Sequence, residues 1–168
     1  QVADLCVAAH GKPRLTEIPA MTREAREALR EHFLTADMGV SGSNFIIAET
    51  GTTLTVTNEG NADMVTTLPR IHCVITGIEK VIGTLEDFAS LIRLLPRSAI
   101  GQTIANYHTL TTGPKMPGDV DGPEQMHVVL VDAGRTKLLG GAMQEMLRCI
   151  RCGACMNHCP VYQNVGGH

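Results

Sequence analysis

The stretch Ile71-His-Cys-Val-Ile-Thr-Gly77 is a nearly continuous run of apolar and β-branched side chains. A run of this length without clear alternation is typical of a strand buried on both faces in the middle of a parallel sheet. We therefore predict a central, buried strand here. Successive side chains of a strand point to opposite faces, so His72 and Cys73 are not expected to form a catalytic pair.

Segments on both sides of this strand alternate between strand-like and helix-like patterns. Phe45–Ala48 and Leu54–Thr57 flank a short turn that contains glycine, which predicts a hairpin. Further strands are predicted over residues 104–110 and 127–132, and a Pro- and Gly-rich loop over 112–124. Strands interleaved with helices imply an α/β layer fold.

Three helices are predicted from periodicity and capping signals. The first runs over residues 22–35 with Thr22 as its N-cap, and its charged side chains are interpreted as a solvated face. Another is opened by Thr84 and closed by Pro96. The last, over residues 138–147, carries an apolar stripe that is predicted to pack on the sheet.

Four cysteines near the C-terminus form the run Cys149-Ile-Arg-Cys152-Gly-Ala-Cys155-Met-Asn-His-Cys159-Pro160. This C-x₂-C-x₂-C-x₃-C-P spacing is that of bacterial ferredoxin-type clusters. In two-cluster ferredoxins the first three cysteines bind one cluster and the fourth binds the other. We predict that Cys149, Cys152, Cys155 and Cys159 bind a [4Fe–4S] cluster, with Cys159 as a candidate ligand of a second one.

Two other interpretations of the cysteines are weaker. Structural zinc sites usually join two C-x₂-C pairs across a spacer of a dozen or more residues. A disulfide framework is typical of small secreted chains, and this chain has 168 residues and only 6 Cys. Cys6 and Cys73 lie outside the run and are predicted to be buried apolar thiols.

Composition excludes several classes of function. A net charge of −3 gives no support for nucleic-acid binding. No apolar run approaches the roughly 20 residues that span a bilayer. Hydrophobic content of 43% and charged content of 18% are those of a globular, cytoplasmic protein. The chain begins at Gln1 and ends at His168, shortly after one cysteine motif, so a truncated fragment is expected.

The order of several motifs resembles the LUD domain of the lactate-utilisation family. These motifs are Thr35–Asn44, Ala48–Thr52, Leu68–Ile75 and Glu79–Asp87. That domain resembles the fold group of glucosamine-6-phosphate deaminase, ribose-5-phosphate isomerase and CoA transferases (the NagB/RpiA/CoA-transferase-like fold). A LUD domain followed by the cysteine run resembles LutB-type iron–sulfur proteins. The resemblance implies an N-terminally truncated LUD domain over residues 1–140 and the start of an α-helical ferredoxin-type domain over 141–168.

The resemblance also implies a function. It is that of an iron–sulfur electron-transfer subunit in a cytoplasmic system that oxidises L-lactate to pyruvate. The expected partners are the other lactate-utilisation subunits and a redox partner. Two [4Fe–4S] clusters are expected in the full-length protein. Since neither a dinucleotide fingerprint nor a P-loop occurs in the sequence, an electron-transfer component is favoured over a stand-alone enzyme.

Two alternatives stay open from the sequence. The first is an acyl- or CoA-handling enzyme. CoA transferases, whose fold the LUD domain resembles, carry a nucleophilic glutamate in a short turn. The similar turn Glu49-Thr-Gly51 makes Glu49 a weak catalytic candidate. Glu49 is equally interpreted as a solvated turn residue beside a glycine with positive φ. The second alternative is a non-catalytic docking module. The small residues of Gly39–Asn44 are interpreted as a tight turn, with anion binding as the alternative.

Overall fold

A computed structural model describes residues 2–105 and 107–166 of the chain. Gln1, Asn106, Gly167 and His168 lie outside the described residues. The termini on which the expected truncation rests, and one residue of the strand predicted over 104–110, are therefore not described. Within the described residues, no helix has both the length and the apolar character needed to cross a membrane.

The helices are α1 (Val2–His10), α2 (Ile18–Thr35), α3 (Asn61–Thr67), α4 (Leu85–Ile100), α5 (Ala154–Asn157) and α6 (Pro160–Val165). The strands are β1 (Met38–Ser41), β2 (Phe45–Ile47), β3 (Thr52–Thr57), β4 (Ile71–Gly77), β5 (Val81–Ile82), β6 (Tyr107–Thr111) and β7 (Gln125–Val131). Short 3₁₀ helices cover Ile78–Lys80, Arg135–Leu138 and Gln144–Arg148. This mixture of helices and strands confirms the predicted α/β class.

A parallel sheet with the order β1-β4-β7 places β4 in the middle, as predicted. Residues of β4 alternate in burial: His72 and Val74 are buried, whereas Ile75 is 45% exposed. The prediction that β4 is buried on both faces is therefore wrong. Helix α3 contacts β1 and β4 and covers the face that carries His72, and Ile75 lies on the opposite face. His72 and Cys73 do point to opposite faces.

A mixed sheet with the order β5-β2-β3-β6 contains the predicted hairpin. Strands β2 and β3 pair antiparallel, with Phe45 opposite Leu54, which confirms this prediction. Gly51 closes the turn with a φ of 69°, a conformation that side chains with a Cβ rarely adopt. Strand β6 extends the sheet beside β3, and β5 joins β2 in parallel.

The core cluster lies between this mixed sheet and α4. Phe45 and Leu54 from the hairpin pack against Ile92 and Leu95 from α4, and all four side chains are at most 9% exposed. Partly buried side chains surround them, namely Val56, Ile82, Phe88, Leu91, Ile150 and Cys152. Burial of such apolar side chains is the main favourable term in folding. The cysteine run thus touches the core of the α/β fold.

Helix α4 begins as predicted and ends later than predicted. The Thr84 hydroxyl accepts the Asp87 N–H at 3.2 Å, and the Asp87 carboxylate accepts the Thr84 N–H at 3.0 Å, forming a capping box. Pro96 was expected to end the helix, but α4 continues to Ile100 and ends at Gly101, which has a φ of 75°. Pro96 and Leu95 are buried, and their packing offsets the hydrogen bond that proline cannot donate.

Helix α2 starts four residues before the predicted N-cap. It begins at Ile18, with a proline in its first turn, and Thr22 lies inside it and donates its hydroxyl to the Ile18 carbonyl at 3.0 Å. The predicted charged face is not wholly solvated either. Glu24 is 7% exposed and pairs with His10 of α1 at 2.6 Å. The partner lies on the preceding helix, 14 positions away, so the periodicity of α2 alone could not show this contact.

The helix predicted over residues 138–147 is wrong. Two 3₁₀ helices lie at the ends of this segment, and Gly140 between them has a φ of 74°. A left-handed glycine followed by a second glycine interrupts the α-helical hydrogen bonding. Leu139, Met143 and Met146 are 65%, 55% and 61% exposed, so the predicted apolar stripe does not pack on the sheet.

Gly39 lies in β1 rather than in the predicted turn, which is confined to the residues between β1 and β2. Its paired residue in β4 is His72. A Cβ on Gly39 would clash with the main-chain carbonyl oxygen of Val65 in α3. The glycine is therefore required by the close approach of α3 to the parallel sheet.

We expect Gly39→Ala to lower the free energy of unfolding by about 1–3 kcal/mol, because α3 must move away from β1 to admit the methyl group. Urea unfolding followed by circular dichroism measures this change. Gly42→Ala is the matched control, since Gly42 is exposed just after β1, has no positive φ, and its Cβ would meet only the Ile75 carbonyl oxygen, at 3.9 Å. Equal stability of the two variants would show that α3 does not constrain Gly39.

Candidate functional site

The cysteine run is built on two short helices joined by tight turns. Cys149 directly follows the 3₁₀ helix Gln144–Arg148, and Cys155 lies in the first turn of α5. Gly153 precedes α5 with a φ of 78°, as its lack of a Cβ allows. Pro160 occupies the first position of α6, where a missing N–H costs nothing. The four thiols lie within eleven residues, and these turns fold that segment into short helices.

The four thiols differ in their surroundings. Cys149 and Cys155 are exposed, whereas Cys152 and Cys159 are half-buried. Cys152 packs with Ile150 against the core cluster of Phe45 and Leu54. The sulfur of Cys159 accepts the backbone N–H of Tyr162 at 3.5 Å. Hydrogen bonds to sulfur and the degree of burial are the properties by which a protein sets the potential of an iron–sulfur cluster.

A second connection holds this segment to the α/β fold. The Asn157 side-chain amide donates to the carbonyl of Ser98, in the last turn of α4, at 2.8 Å. Together with the packing of Cys152, this bond attaches both halves of the run to α4 and the hairpin.

The donor set fits an iron–sulfur cluster in its chemistry. All six cysteines are free thiols, including the half-buried Cys6 and Cys73, so the weaker disulfide interpretation is wrong. Cys6 and Cys73 are only half-buried, so the prediction that they are buried is also wrong. Over residues 2–105 and 107–166, no three His, Cys, Asp or Glu side chains are grouped closely enough to hold a metal ion. The four thiols of the run are thus free to act as ligands. In the described residues their sulfur atoms do not already surround one common point.

Glu49 lies in the hairpin turn and is exposed. One oxygen of its carboxylate accepts the backbone N–H of Leu85 at 3.3 Å, at the first residue of α4. A carboxylate at a helix N-terminus interacts favourably with the unpaired N–H groups there. Glu49 therefore connects the turn to α4, which favours the structural interpretation over a catalytic nucleophile.

Sequence reasoning missed a buried pair on the parallel sheet. The Ser41 hydroxyl and the Nε2 atom of His72 are 2.8 Å apart, and His72 is 1% exposed. No hydrogen-bond partner of its Nδ1 atom occurs in the described part of the chain. The two residues are 31 positions apart and meet only because β1 pairs with β4. No local pattern in the sequence signals this contact.

Burial lowers the pKa of the His72 imidazole, so the folded chain keeps this side chain neutral. The unfolded chain takes up a proton on His72 at a higher pH than the folded chain does. We therefore expect the free energy of unfolding to fall as the pH drops below about 6.5, the ordinary pKa of histidine.

Urea unfolding at about pH 7.5 and about pH 5.5 measures this dependence. His72→Gln should reduce the difference in stability between the two conditions. His32→Gln, on the exposed side of α2, is the control that should retain the difference. An unchanged pH dependence in His72→Gln would contradict the prediction.

Two family profiles match the chain. The LUD domain profile matches residues 2–131, and the 4Fe-4S dicluster domain profile matches residues 145–168. The second range includes all four cysteines of the run. The two matches follow each other in the order in which the α/β fold and the cysteine run occur.

Similar proteins match most or all of the chain. "Lactate utilization protein B" of Geobacillus kaustophilus (strain HTA426) is 48% identical over 168 residues, which are 100% of this chain and 35% of that protein. "Uncharacterized electron transport protein YkgF" of Escherichia coli (strain K12) is 50% identical over 149 residues, or 89% of this chain and 31% of that protein. The chain thus spans about a third of the length of these curated relatives.

A solved structure also resembles the chain. It is a crystal structure of a DUF162 family protein from Deinococcus radiodurans, with a TM-score of 0.44 and 21% identity. The alignment covers 60% of this chain and 57% of that one.

Proposed function

The chain belongs to the LUD domain family, as its sequence predicted, and from that premise we propose that it is part of an iron–sulfur electron-transfer protein that serves the oxidation of L-lactate to pyruvate. The match of residues 145–168 to a 4Fe-4S dicluster domain supports an iron–sulfur cluster as the cofactor. The names of the relatives support the connection to lactate utilisation and to electron transport. The proposed setting is the cytoplasm, with the other lactate-utilisation subunits and a redox partner.

The observation that carries the proposal is the attachment of the cysteine run to the core of the LUD domain. Ile150 and Cys152 pack against the cluster that contains Phe45 and Leu54. An electron carrier benefits from such packing, because a fixed and partly dry position keeps the distance to a partner constant and limits loss of iron to solvent.

We assign the ligands from the spacing of the thiols. Cys149, Cys152 and Cys155 would bind one [4Fe–4S] cluster, and Cys159 would bind a second one. When bound, such a cluster supplies one-electron transfer. The chain's own residues hold the thiolates, shield Cys152 against the core and donate the Tyr162 N–H to the sulfur of Cys159. In this proposal, proton and hydride chemistry on lactate is carried out by a partner subunit.

Anaerobic reconstitution of the full-length protein with iron and sulfide tests the assignment, because the fourth ligand of the first cluster is expected from outside residues 1–168. We expect iron and inorganic sulfide to bind together and to give the broad visible absorption and electron paramagnetic resonance signals of an iron–sulfur cluster. A variant with Cys6→Ser should behave like the unmodified chain, because Cys6 lies in α1, outside the run. Binding of one zinc ion per chain, with neither iron nor sulfide, would contradict the proposal.

A further inference from the structure

A cavity of about 420 Å³ lies at the carboxyl ends of the strands of the parallel sheet. Its wall includes Ser43 after β1, Thr76 at the end of β4, Arg135 after β7, and Arg151 from the cysteine run. In open α/β sheets, ligands bind in the crevice outside the carboxyl ends of the strands. The cavity therefore occupies the position in this fold where a small molecule is expected.

The wall of this cavity carries more positive than negative charge. Its charged residues are Lys80, Arg135, Arg151 and Glu79. Glu79 forms an ion pair with Arg135, in which the guanidinium Nε atom lies 2.7 Å from a carboxylate oxygen of Glu79. Among the described residues, no hydrogen bond or ion pair involves the side chain of Lys80 or of Arg151. Lys80 interacts electrostatically with Glu79 and with the Cys149 thiol, and Arg151 adds a repulsive positive charge. Neither Lys80 nor Arg151 therefore has a directly bonded anionic partner in the described residues.

Lys80 is the informative member of this set, because its side chain is only 8% exposed. Lysine is almost never buried to this extent without a partner. Removing an ammonium group from water without pairing it is energetically unfavourable. An anion bound in the cavity would supply the missing partner.

The cavity also offers a neutral hydrogen-bond donor. The Oδ1 atom of Asn44 accepts the backbone N–H of Val56 at 2.8 Å, so the oxygen of this amide is identified by its donor. The NH₂ group of Asn44 is left to donate, and Asn44 lines the cavity. A carboxylate or a phosphate accepts hydrogen bonds from such a group as well as from ammonium and guanidinium.

We propose that this cavity binds a small molecule through an oxyanion group, a carboxylate or a phosphate, held by Lys80 and Arg151 with Asn44 as an additional donor. The site is formed by residues of the LUD domain together with Ile150 and Arg151 of the cysteine run. It does not rest on the proposed electron-transfer role. Because Arg151 stands between Cys149 and Cys152, the bound anion would contact the loop that carries the thiols.

Isothermal titration calorimetry of the reconstituted full-length protein tests the proposal with two probes, inorganic phosphate and L-lactate. We expect at least one probe to bind saturably, and Lys80→Met to weaken that binding at least tenfold. Lys137→Met is the control, since Lys137 is exposed on the nearby 3₁₀ helix and lies outside the cavity wall. The two probes distinguish a phosphate ligand from a carboxylate ligand. Arg151→Gln repeats the comparison at an exposed position, where no buried group is altered.

Thermal unfolding provides a second readout. Without added anion, Lys80→Met should be at least as stable as the unmodified chain, because the substitution removes an unpaired buried charge. The bound probe should raise the unfolding midpoint of the unmodified chain but not that of Lys80→Met. A less stable Lys80→Met chain would show that Lys80 has a structural role and would overturn the proposal.

Three results of the titrations would also overturn it. These are the absence of saturable binding for both probes, equal binding by Lys80→Met and the unmodified chain, and binding that occurs in the metal-free chain but disappears on reconstitution. The last result would mean that Lys80 and Arg151 neutralise the cluster itself.

Discussion

A Cys155→Ser variant is expected to lose cluster-dependent electron transfer completely while its α/β fold remains intact. Cys155 is exposed in the first turn of α5, and its side chain contributes nothing to the core cluster. A serine hydroxyl is a much weaker iron ligand than a thiolate, which iron–sulfur clusters use almost without exception. The loss of one ligand should therefore remove the cluster and leave the strands in place.

Two measurements separate these effects. Iron content and electron transfer are measured on the full-length variant, with L-lactate as the electron source that the proposed function requires, and circular dichroism follows the fold of the variant. Cys73→Ser is a suitable control, since Cys73 is a free cysteine on β4, outside the run. Normal electron transfer by Cys155→Ser, with full iron content, would remove Cys155 from the ligand set.

Phe45→Ala should lower the free energy of unfolding by about 3–5 kcal/mol, the usual cost of removing a buried aromatic ring from a core. Phe45 is 1% exposed and lies at the centre of the contact between β2 and α4. The same cluster supports Ile150 and Cys152. The cavity left by the ring should therefore also loosen the first half of the cysteine run.

Urea unfolding measures the loss of stability, and the rate at which a chelator removes iron from the reconstituted variant measures the loosening. Leu110→Ala is the control, because Leu110 lies on β6 and is 46% exposed. If Phe45→Ala loses stability but releases iron at the unmodified rate, the packing of Cys152 does not protect the cluster.

Local signals in the sequence predicted much of this fold. The run Ile71–Gly77 indicated β4, and the turn around Gly51 indicated the hairpin. The start of α4 followed from Thr84 and Asp87, because a capping box involves residues only three positions apart. In each case the interaction that decides the structure lies within a few residues.

Other predictions were wrong because distant packing or backbone conformation decides the structure. Pro96 was expected to end α4, but its burial keeps the helix continuous to Ile100. The apolar period over residues 138–147 indicated a helix, yet the left-handed Gly140 interrupts it. Periodicity describes where side chains would point in a helix and contains no information on whether the backbone forms one.

In the candidate site, too, sequence reasoning found the residues that a local signal marks and missed those that only the fold brings together. The four cysteines were found from their spacing, which is a local signal. The cavity beside them was not found, because Lys80, Arg135 and Arg151 come together only through the order of the parallel strands and the position of the run. The contact between Ser41 and His72 was missed for the same reason.

The contact of Cys152 with the LUD core has a consequence for the order of events during synthesis. Phe45, Leu54, Ile92 and Leu95 all precede Cys149 in the chain, so the ribosome produces the complete docking surface before it produces the thiols. Domains generally fold as units during synthesis, and the N-terminal domain folds first. We therefore expect the surface that receives Ile150 and Cys152 to be available when the cysteines emerge, so that the thiols reach it directly.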